Sequence, residues 1–499
     1  MATSLAADSP PPISTVAVVT ADRAFLLDRC LQSYCKNLKT YARRAEIVVM
    51  DDSKSDSARA EYLQCLQALE CDYPILYAGL AEKRSYIEAL VQRGIDPVVA
   101  RFAVLGELEM AICTTGANRN CILLDAIGTS VLSVDDDTIC MTAPHPERSC
   151  AVHFRGHENP RDIWFYENRD ELIASMQWKA YDLLAEHERI LGKRLTQIAS
   201  QLPEAADFKN ACDHILAGAM SGEGRVVATM TGMAGDSGAG AAHRFFLSNE
   251  RVVDRLAESE ATAKRAFASR EVLWVAPCHC VAHSPQCQGA GLGLANHTLL
   301  APFFPVGRNQ DGVFGALNLV SPSAFLGHVP LALFHDPAPP KRYERLPLFR
   351  IANLVLCIIR PIFSRESSTM EGLLRLIGSE LLEAARLPDV EFWDWVSAAM
   401  GRNQQRLIRA LQRARKQLDD GPAFLQKEIE TCCEHLATSL RNHDCIPYEF
   451  QALPRESARQ KTRELVQKAG QLFYAWPDLT AAAHDLKAKG VRLSRMVKR

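Results

Sequence analysis

Three consecutive carboxylates end an apolar segment near residue 135. The apolar run 131–134 leads directly into Asp135, Asp136 and Asp137. A hard divalent cation prefers oxygen ligands that are held at a fixed point. Arg119 lies upstream, and its guanidinium is suited to bind anions such as phosphate. The acids and the guanidinium together predict a phosphorylated substrate whose charge a metal ion offsets.

Strand and helix signals alternate over the first 150 residues. The runs 15–20, 46–50 and 74–78 are typical of short strands, and a helix after Gly116 leads to a strand that ends at Asp135. This alternation predicts an α/β fold with a mostly parallel sheet and helices on both faces. Ligands bind beyond the carboxyl ends of such strands. We therefore expect Thr20, Asp51, Asp52 and the acids at 135–137 to line one edge of the sheet.

Four segments in this order and spacing resemble the nucleotide-diphosphosugar glycosyltransferases of the GT-A fold, particularly those similar to family 2. The segments are 18–23, 49–53, 116–120 and 134–137. The resemblance covers residues 14 to about 340. It implies a Rossmann-like GT-A domain and a nucleotide-sugar donor, for which a UDP-sugar is expected. The acceptor, whether sugar, lipid, peptide or small molecule, stays open.

The resemblance also implies roles for single residues on the donor side. Asp135 and Asp137 form an Asp-x-Asp pair that would hold Mn²⁺ or Mg²⁺, with His335 as a third ligand and His328 as its competitor. The other donor contacts that it implies are Thr20, Arg23, Asp51, Asp52, Arg119, Asp136 and Gly293. Simpler interpretations remain for these residues. They are a capped strand end at Asp51 and Asp52, a surface loop at 135–137, and a structural histidine at 335.

On the acceptor side, the segment 302–314 resembles a motif usually written x-Glu-Asp, with Gln310 in place of the more common glutamate. Asp311 is predicted to be the catalytic base that takes the acceptor proton. A turn acid without a catalytic role is the alternative. The predicted acceptor contacts are Arg308, Asn309, Gln310 and Asp236. Inversion is expected, because no nucleophile for a two-step route is visible.

Two other function classes compete with a glycosyltransferase. A sugar-phosphate nucleotidyltransferase uses similar acids and metals, but it usually carries a glycine-rich basic loop after the first strand, and residues 20–25 contain no glycine. A noncatalytic scaffold would keep the fold and use its helices to bind partners. The presence of Asp135, Asp137 and Asp311 argues against the scaffold.

Two further clusters of residues each allow two interpretations. The first, Cys278, His279, Cys280, His283 and Cys287, has the soft ligands of a zinc site without a standard spacing, so that chance is the competing explanation. In the second, Arg402, Arg406, Arg409 and Arg413 recur at helical spacing. This arginine stripe would either dock an anionic partner or be a solvated face paired with acids.

The bulk properties set outer limits. The chain has 499 residues and a net charge of -2, which gives no global case for nucleic acid binding. We expect a flexible leader (1–14), a nucleotide-sugar-binding half (15–150), an acceptor-binding half with a helical insertion (151–365) and a helical C-terminal domain (366–499). No transmembrane segment is expected, and the apolar stretch 351–359 is predicted to be buried.

Three expectations concern local detail. The apolar spacing over 170–200 predicts one long helix. The glycine-rich segments 231–238 and 289–293 are expected to be loops. The sixteen cysteines are expected to be reduced thiols in a cytoplasmic protein, because no export signal is visible.

Overall fold

The computed structural model describes residues 9–107, 113–201, 205–364, 369–419, 421–441 and 445–498. Residues 1–8 of the predicted leader lie outside the described residues, and the first strand begins at Ile13.

The elements of the first part are, in chain order, β1 (Ile13–Thr20), α1 (Ala24–Thr40), β2 (Glu46–Asp51), α2 (Asp56–Ala68), β3 (Ile75–Ala78), α3 (Leu80–Val91), α4 (Pro97–Leu105), α5 (Thr115–Asp125), β4 (Ser130–Asp135), β5 (Thr138–Pro144), β6 (Val152–Arg155) and β7 (Asp162–Phe165). The middle part contains α6 (Arg169–Ser175), α7 (Leu183–Glu188), α8 (Leu195–Gln201), β8 (Ala206–Asn210), α9 (Asp213–Ser221), β9 (Arg225–Asp236), α10 (Glu250–Ala257), α11 (Glu260–Ala268), β10 (Glu271–Val275), β11 (His279–Ala282), β12 (Gly291–Leu294), α12 (Gln310–Asn318) and β13 (Ala324–His335). The last part contains α13 (Ile351–Ile359), α14 (Met370–Ala385), α15 (Asp389–Gln417), α16 (Ala423–Arg441), α17 (Arg455–Ala488) and β14 (Arg495–Lys498).

One mixed sheet runs through the molecule. Its main path is β14-β3-β2-β1-β4-β12-β9-β13-β11-β6-β8, while β10 pairs with β7 and β9, and β5 pairs with β13. The pairs among β3, β2, β1 and β4 are parallel, and β12 is antiparallel to both of its neighbours. The α/β class and the predicted strands at β1, β2, β3 and β4 are therefore confirmed.

Both faces of the parallel region are buried, as the alternation of side chains along a strand requires. In β1, Ala17 and Val19 belong to one apolar cluster, and Val16 and Val18 belong to another on the opposite face. Helices α1, α2 and α7 cover the second face, while α3, α4 and α5 cover the first.

The C-terminal helices extend the first cluster. Leucines and aromatic residues of α14 and α17 share it with α4 and α5. Helices α14 and α17 pack closely because a Cβ at Gly378 would lie 2.5 Å from the Tyr474 nitrogen. Trp476 of α17 donates its indole N–H to the Leu300 carbonyl at 2.8 Å. The predicted helical character of the region after residue 366 is thus observed, and the apolar segment 351–359 is the buried helix α13.

The prediction of one helix over 170–200 was wrong, because the segment forms α6, α7 and α8. Asp182 accepts a hydrogen bond from the Ala185 N–H and so begins α7. Between α6 and α7 the chain follows β5, where the Lys179 N–H donates to the Thr142 carbonyl at 3.0 Å. Gly192, with φ of 73°, separates α7 from α8. Apolar spacing alone did not reveal these interruptions.

The glycine-rich loops were also predicted wrongly. Residues 231–236 lie in the twelve-residue strand β9, and Gly291 and Gly293 lie in β12. A Cβ at Gly232 would lie 2.3 Å from the Trp274 carbonyl oxygen, and one at Gly291 would lie 2.4 Å from the Thr231 hydroxyl. These glycines therefore allow strands and side chains to approach closely, which is a use of glycine inside sheets.

One cysteine pair departs from the expectation of reduced thiols. Cys35 of α1 and Cys71 form a disulfide, whereas the other fourteen cysteines are thiols. None of the described helices combines the length and the apolar composition that crossing a membrane requires.

The end of the chain is fixed to the first half through a buried carboxylate. Asp125, the last residue of α5, accepts hydrogen bonds from the Ser494 N–H and hydroxyl at 2.9 Å and from Arg492 at 2.7 Å. Strand β14 then pairs with β3 at the sheet edge. Asp125 thus positions the last strand.

We predict that Asp125→Ala lowers the free energy of unfolding by about 2–4 kcal/mol, because the buried N–H and hydroxyl of Ser494 lose their acceptor and Arg492 keeps only Glu46. Urea unfolding measures the change. The control is Asp72→Ala, which removes an exposed ion pair with Lys39 and is expected to have no measurable effect. Equal stability of Asp125→Ala and the wild type would contradict the role given to Asp125.

Candidate active site

The carboxyl ends of β1, β2 and β4 meet at one edge of the sheet. In the parallel pairs of β1, Thr20 lies opposite Asp51, and Val19 lies opposite Asp135. The chain runs from β1 through β2 to β3 on one side, whereas β4 lies on the other side of β1. Open α/β sheets bind ligands in the crevice that such a reversal creates.

Asp136 points back into the protein. The Thr20 hydroxyl donates to Asp136 at 2.6 Å, and Arg23 donates to it at 2.5 Å. Burial raises the pKa of Asp136 to about 7, although the Arg23 charge opposes this shift. Asp136 therefore anchors Arg23 and β1 and leaves the two flanking acids to face the crevice.

Asp137 joins the end of β4 to the ends of β9 and β13. Its carboxylate lies 3.1 Å from an Arg23 nitrogen and 3.4 Å from the His335 Nε2. The Nδ1–H of His335 donates to the Asp236 carbonyl oxygen at 2.6 Å. Arg270 in turn holds both carboxylate oxygens of Asp236 at 2.7 Å. Burial would raise the pKa of Asp137, but His335 and Arg23 hold it well below its usual range.

Arg119 links the end of β4 to the segment that carries Asp311. Its Nη2 donates to Asp135 at 2.5 Å and to the Gly289 carbonyl at 2.9 Å. The Gly289 N–H donates to Asp311 at 3.0 Å. Asp311 is half-buried in the first turn of α12, and its second oxygen accepts from the Gly312 N–H at 2.9 Å. A chain of hydrogen bonds thus runs from Asp135 to the predicted base.

Asn120 forms a second link, between the segments 116–120 and 302–314. The side chain of Asn120 in α5 accepts from the Phe303 N–H at 2.8 Å and donates to the Phe303 carbonyl at 3.0 Å. A Cβ at Gly116 would lie 1.9 Å from the Phe304 carbonyl oxygen, so the start of α5 requires glycine there. The segment 302–314 is consequently fixed against 116–120.

Asp51 and Asp52, at the end of β2, have different hydrogen-bond partners. Asp51 is buried and accepts from the Tyr77 hydroxyl and the Ser53 N–H, each at 2.7 Å. Asp52 accepts from the buried ammonium of Lys83 at 2.6 Å and from the Thr114 hydroxyl. Asp51 therefore shapes the turn, and Asp52 is the acid with exposed surface at the crevice.

Asp135, Asp137 and His335 form a donor set that suits Mn²⁺, since carboxylate oxygens and a neutral imidazole are its usual ligands. The His335 ring is oriented by a carbonyl, as metal-bound histidines are. However, the ligand atoms of the three residues do not all lie within 4.8 Å of one another, because Arg119 and Arg23 hold the acids. The residues fit a metal ion chemically, but Arg23 would have to release Asp137, and His335, whose pKa the neighbouring carboxylates raise to about 9, would have to lose the proton on Nε2.

The remaining predicted site residues are scattered. Arg308 and Asn309 are exposed before α12, and Gln310 is buried with an unpaired Oε1. Gly293 lies inside the sheet against Thr229, and Gly289 is the glycine that reaches the crevice. His328 is buried seven residues before His335 on β13, about 23 Å away at a strand rise of about 3.3 Å per residue, so His335 is the histidine at the acids.

Several residues at the crevice were missed from the sequence. Arg270 holds Asp236, Lys83 holds Asp52, and Tyr62 contacts Thr20 at 2.7 Å. Asp336 binds Arg29 at 2.5 Å and also Arg169. The adjacency of Asp336 to His335 was a usable signal, whereas the neighbours of Arg270 and Lys83 in the sequence do not mark them.

The predicted cysteine and histidine cluster does not form one site. Cys278 and Cys280 lie beside His153, whereas His283 lies beside His157 and Cys212. His279 binds the backbone carbonyl of Glu186 at 2.9 Å, and Cys287 is buried near Asp311. The ten-residue grouping in the sequence therefore divides between separate places.

The arginine stripe lines a cavity of about 340 Å³ on α15, together with Gln405. The adjacent Arg415 pairs with Glu430 at 2.8 Å. In the part of the chain that the structure describes, no carboxylate forms an ion pair with Arg402, Arg406, Arg409 or Arg413. Pairing with nearby acids therefore does not explain the stripe, and anion docking stays a hypothesis.

Comparison with known proteins finds no family model that matches this sequence and no curated protein similar to it.

The pH dependence of stability tests the His335 contacts. Burial would lower the pKa of His335, but the adjacent carboxylates of Asp137 and Asp236 outweigh it and raise the pKa to about 9. A pKa above the unfolded value of about 6.5 stabilises the folded state fully below that pH. The stabilisation is lost as the pH rises through about 9.

We predict that the free energy of unfolding of the metal-free protein falls by up to about 3 kcal/mol between pH 6.5 and 9.5 because of His335. Urea titrations in chelator at several pH values measure it. His335→Gln is expected to flatten this slope, while His484→Gln, at an exposed position of α17, is expected to keep it. The same slope in His335→Gln and wild type would refute the assignment.

Proposed function

We propose that this chain is a GT-A-type glycosyltransferase that transfers a sugar from a nucleotide diphosphosugar, with a UDP-sugar as the expected donor. The observation that carries the proposal is that the acid-bearing ends of β2 and β4, on either side of β1, lie at one edge of the sheet, where Arg119 links Asp135 to the backbone that holds Asp311. A crevice at this position in an α/β sheet is where nucleotides bind. Function here is inferred from the site, since one fold serves many chemistries.

On the donor side, the proposal gives each acid a separate task. Asp52 faces the nucleoside, where a carboxylate accepts from the N–H and O–H groups of uracil and ribose. Asp135, Asp137 and His335 hold Mn²⁺ or Mg²⁺. When bound, the metal ion offsets the charge of the departing diphosphate. Arg23, once it releases Asp137, is free to face a phosphate.

On the acceptor side, Asp311 takes the proton from the attacking hydroxyl. The Gly289 and Gly312 N–H groups use one lone pair on each of its oxygens, which leaves a second lone pair on each oxygen of the half-buried side chain. The guanidinium of buried Arg161 and that of half-buried Arg244 lie within electrostatic range of Asp311.

One observation favours a noncatalytic scaffold as the second candidate. The acids on the proposed donor side already have cationic partners: Arg119 for Asp135, Arg23 for Asp136 and Asp137, and Lys83 for Asp52. A protein that never binds metal would keep its acids in this way. The two candidates differ in whether Mn²⁺ displaces Arg23 from Asp137.

We predict that Asp137→Asn weakens UDP binding in the presence of Mn²⁺ by about 100-fold, because the metal loses a charged ligand. Calorimetry with UDP, with and without Mn²⁺, measures this. Asp56→Asn, at an almost fully exposed carboxylate of α2, is the control and is expected to bind as wild type does. A wild type whose UDP affinity does not depend on Mn²⁺ would favour the scaffold.

We predict that Asp311→Asn slows single-turnover hydrolysis of a bound UDP-sugar by about 10²–10⁴-fold, with donor affinity nearly unchanged. The amide keeps the shape of the side chain but lacks a basic oxygen. Asp56→Asn again serves as the control. Hydrolysis at the wild-type rate in Asp311→Asn would move the base elsewhere, with Asp236 as the next candidate.

A further inference from the structure

Three side chains far apart in the sequence converge at the other end of the sheet from the crevice. His157 follows β6, Cys212 precedes α9, and His283 follows β11. One ligand atom from each lies within 4.8 Å of the other two. The Nδ1 atoms of His157 and His283 are 3.2 Å apart. Strands β6 and β11 pair in parallel, so both histidines leave the same end of neighbouring strands.

The hydrogen bonds of His283 determine which of its ring nitrogens is free. Its Nε2 lies 3.2 Å from the Leu319 carbonyl oxygen, which can only accept, so Nε2 carries the proton. The Nδ1 therefore presents a lone pair toward His157 and Cys212. A ligand histidine whose second nitrogen donates to a backbone carbonyl is the usual arrangement around a bound metal.

The spacing also matches zinc. Two nitrogens bound tetrahedrally at a Zn–N distance of about 2.05 Å are about 3.3 Å apart. The observed separation of 3.2 Å agrees with this value. His157 is exposed, so it can move its proton from Nδ1 to a solvent-facing Nε2 when metal binds. Cys212 precedes the nine-residue helix α9, and its sulfur is a ligand of the kind that zinc takes together with histidine nitrogens.

We propose that His157, Cys212 and His283 bind one Zn²⁺, with water as the fourth ligand. Among the described residues, no fourth histidine, cysteine or acid belongs to this group. His214 stacks its ring on His283 at 4.2 Å and so supports the ligand without joining the set. The site connects the chain after β6, the start of α9 and the chain after β11. It stabilises the sheet edge formed by β6 and β8, independently of the proposed sugar transfer.

The neighbouring thiols are the strongest competitor. Cys278 and Cys280 are buried with their sulfurs 3.7 Å apart, beside His153. However, the Nδ1 of His153 accepts a hydrogen bond from Arg155 at 3.1 Å, and its Nε2 lies 3.9 Å from Asp207. The Nδ1 of His153 therefore already accepts from a residue that cannot bind metal, whereas the neighbour of the His283 Nδ1 is His157, another proposed ligand. These thiols make a matched control.

The test uses the full chain, stripped with chelator and titrated with Zn²⁺ alone. Wild type, Cys278→Ser and Asp137→Asn are expected to bind one zinc per chain with equal affinity. Cys212→Ser and His157→Ala are expected to bind about 100-fold more weakly. Co²⁺ gives a second readout, because a sulfur-to-cobalt charge-transfer band is expected in wild type and Cys278→Ser and is expected to be lost in Cys212→Ser.

Urea unfolding of the metal-free variants shows whether each is folded, and His157→Ala, at an exposed position, is expected to unfold as wild type does. The proposal is overturned if wild type binds no zinc, or if Cys212→Ser and His157→Ala bind as wild type does. Loss of zinc only in Cys278→Ser would also overturn it, and would assign the metal to the Cys278 and Cys280 thiols. Retention in Asp137→Asn distinguishes this site from the metal of the proposed transferase.

Discussion

Buried carboxylates at the end of β4 need positive charge beside them, and the surrounding structure supplies it. Asp136 and Asp137 are almost fully buried, and an isolated buried carboxylate is strongly disfavoured. Arg23 contacts both acids from the loop after β1. His335 reaches Asp137 from the end of β13, about 200 residues away in the sequence. The acids therefore hold together the loops that form the crevice.

The sheet makes this arrangement possible. Parallel strands place the ends of β1, β2 and β4 side by side, and the antiparallel β12 brings Gly289 back to Arg119. Gly289 has no room for a Cβ, which would lie 2.2 Å from an Arg119 nitrogen. The backbone there acts as a bridge between Asp135 and Asp311. The segments around Asp135 and Asp311, which are the predicted donor and acceptor motifs, are thus connected through main-chain contacts as well as through packing.

The sequence predicted the structure correctly where a clear strand pattern leads into acidic residues. The β-branched runs that precede Asp51 and Asp135 predicted both the strands and the edge at which the acids lie. For the grouping of Cys278 with Cys287 the sequence favoured chance, and these positions do separate in space, while Cys212 and His157 come together from remote segments. Likewise, the partners Arg270 and Lys83 depend on tertiary contacts. No local pattern distinguishes an arginine that will meet Asp236 from one that will face water.

Glycine was the residue type interpreted least well. In β9 and β12 it permits close approach inside a sheet, whereas local composition predicted loops. The prediction of one helix over 170–200 was wrong because side-chain caps at Asn168 and Asp182 and the turn at Gly192 interrupt an otherwise helical apolar spacing. The segment forms three short helices instead. The contacts of the strand glycines come from remote segments, whereas the caps and Gly192 are local features that the apolar spacing does not reveal.

We propose that Asp135, Asp137 and His335 take up a divalent ion when a nucleotide diphosphate binds. Electron paramagnetic resonance counts free Mn²⁺ directly, so a titration of the full chain with Mn²⁺ in the presence of UDP measures the stoichiometry. The account predicts one immobilised Mn²⁺ per chain with UDP and weaker binding without it. A titration in which all added Mn²⁺ remains free at saturating UDP would contradict it.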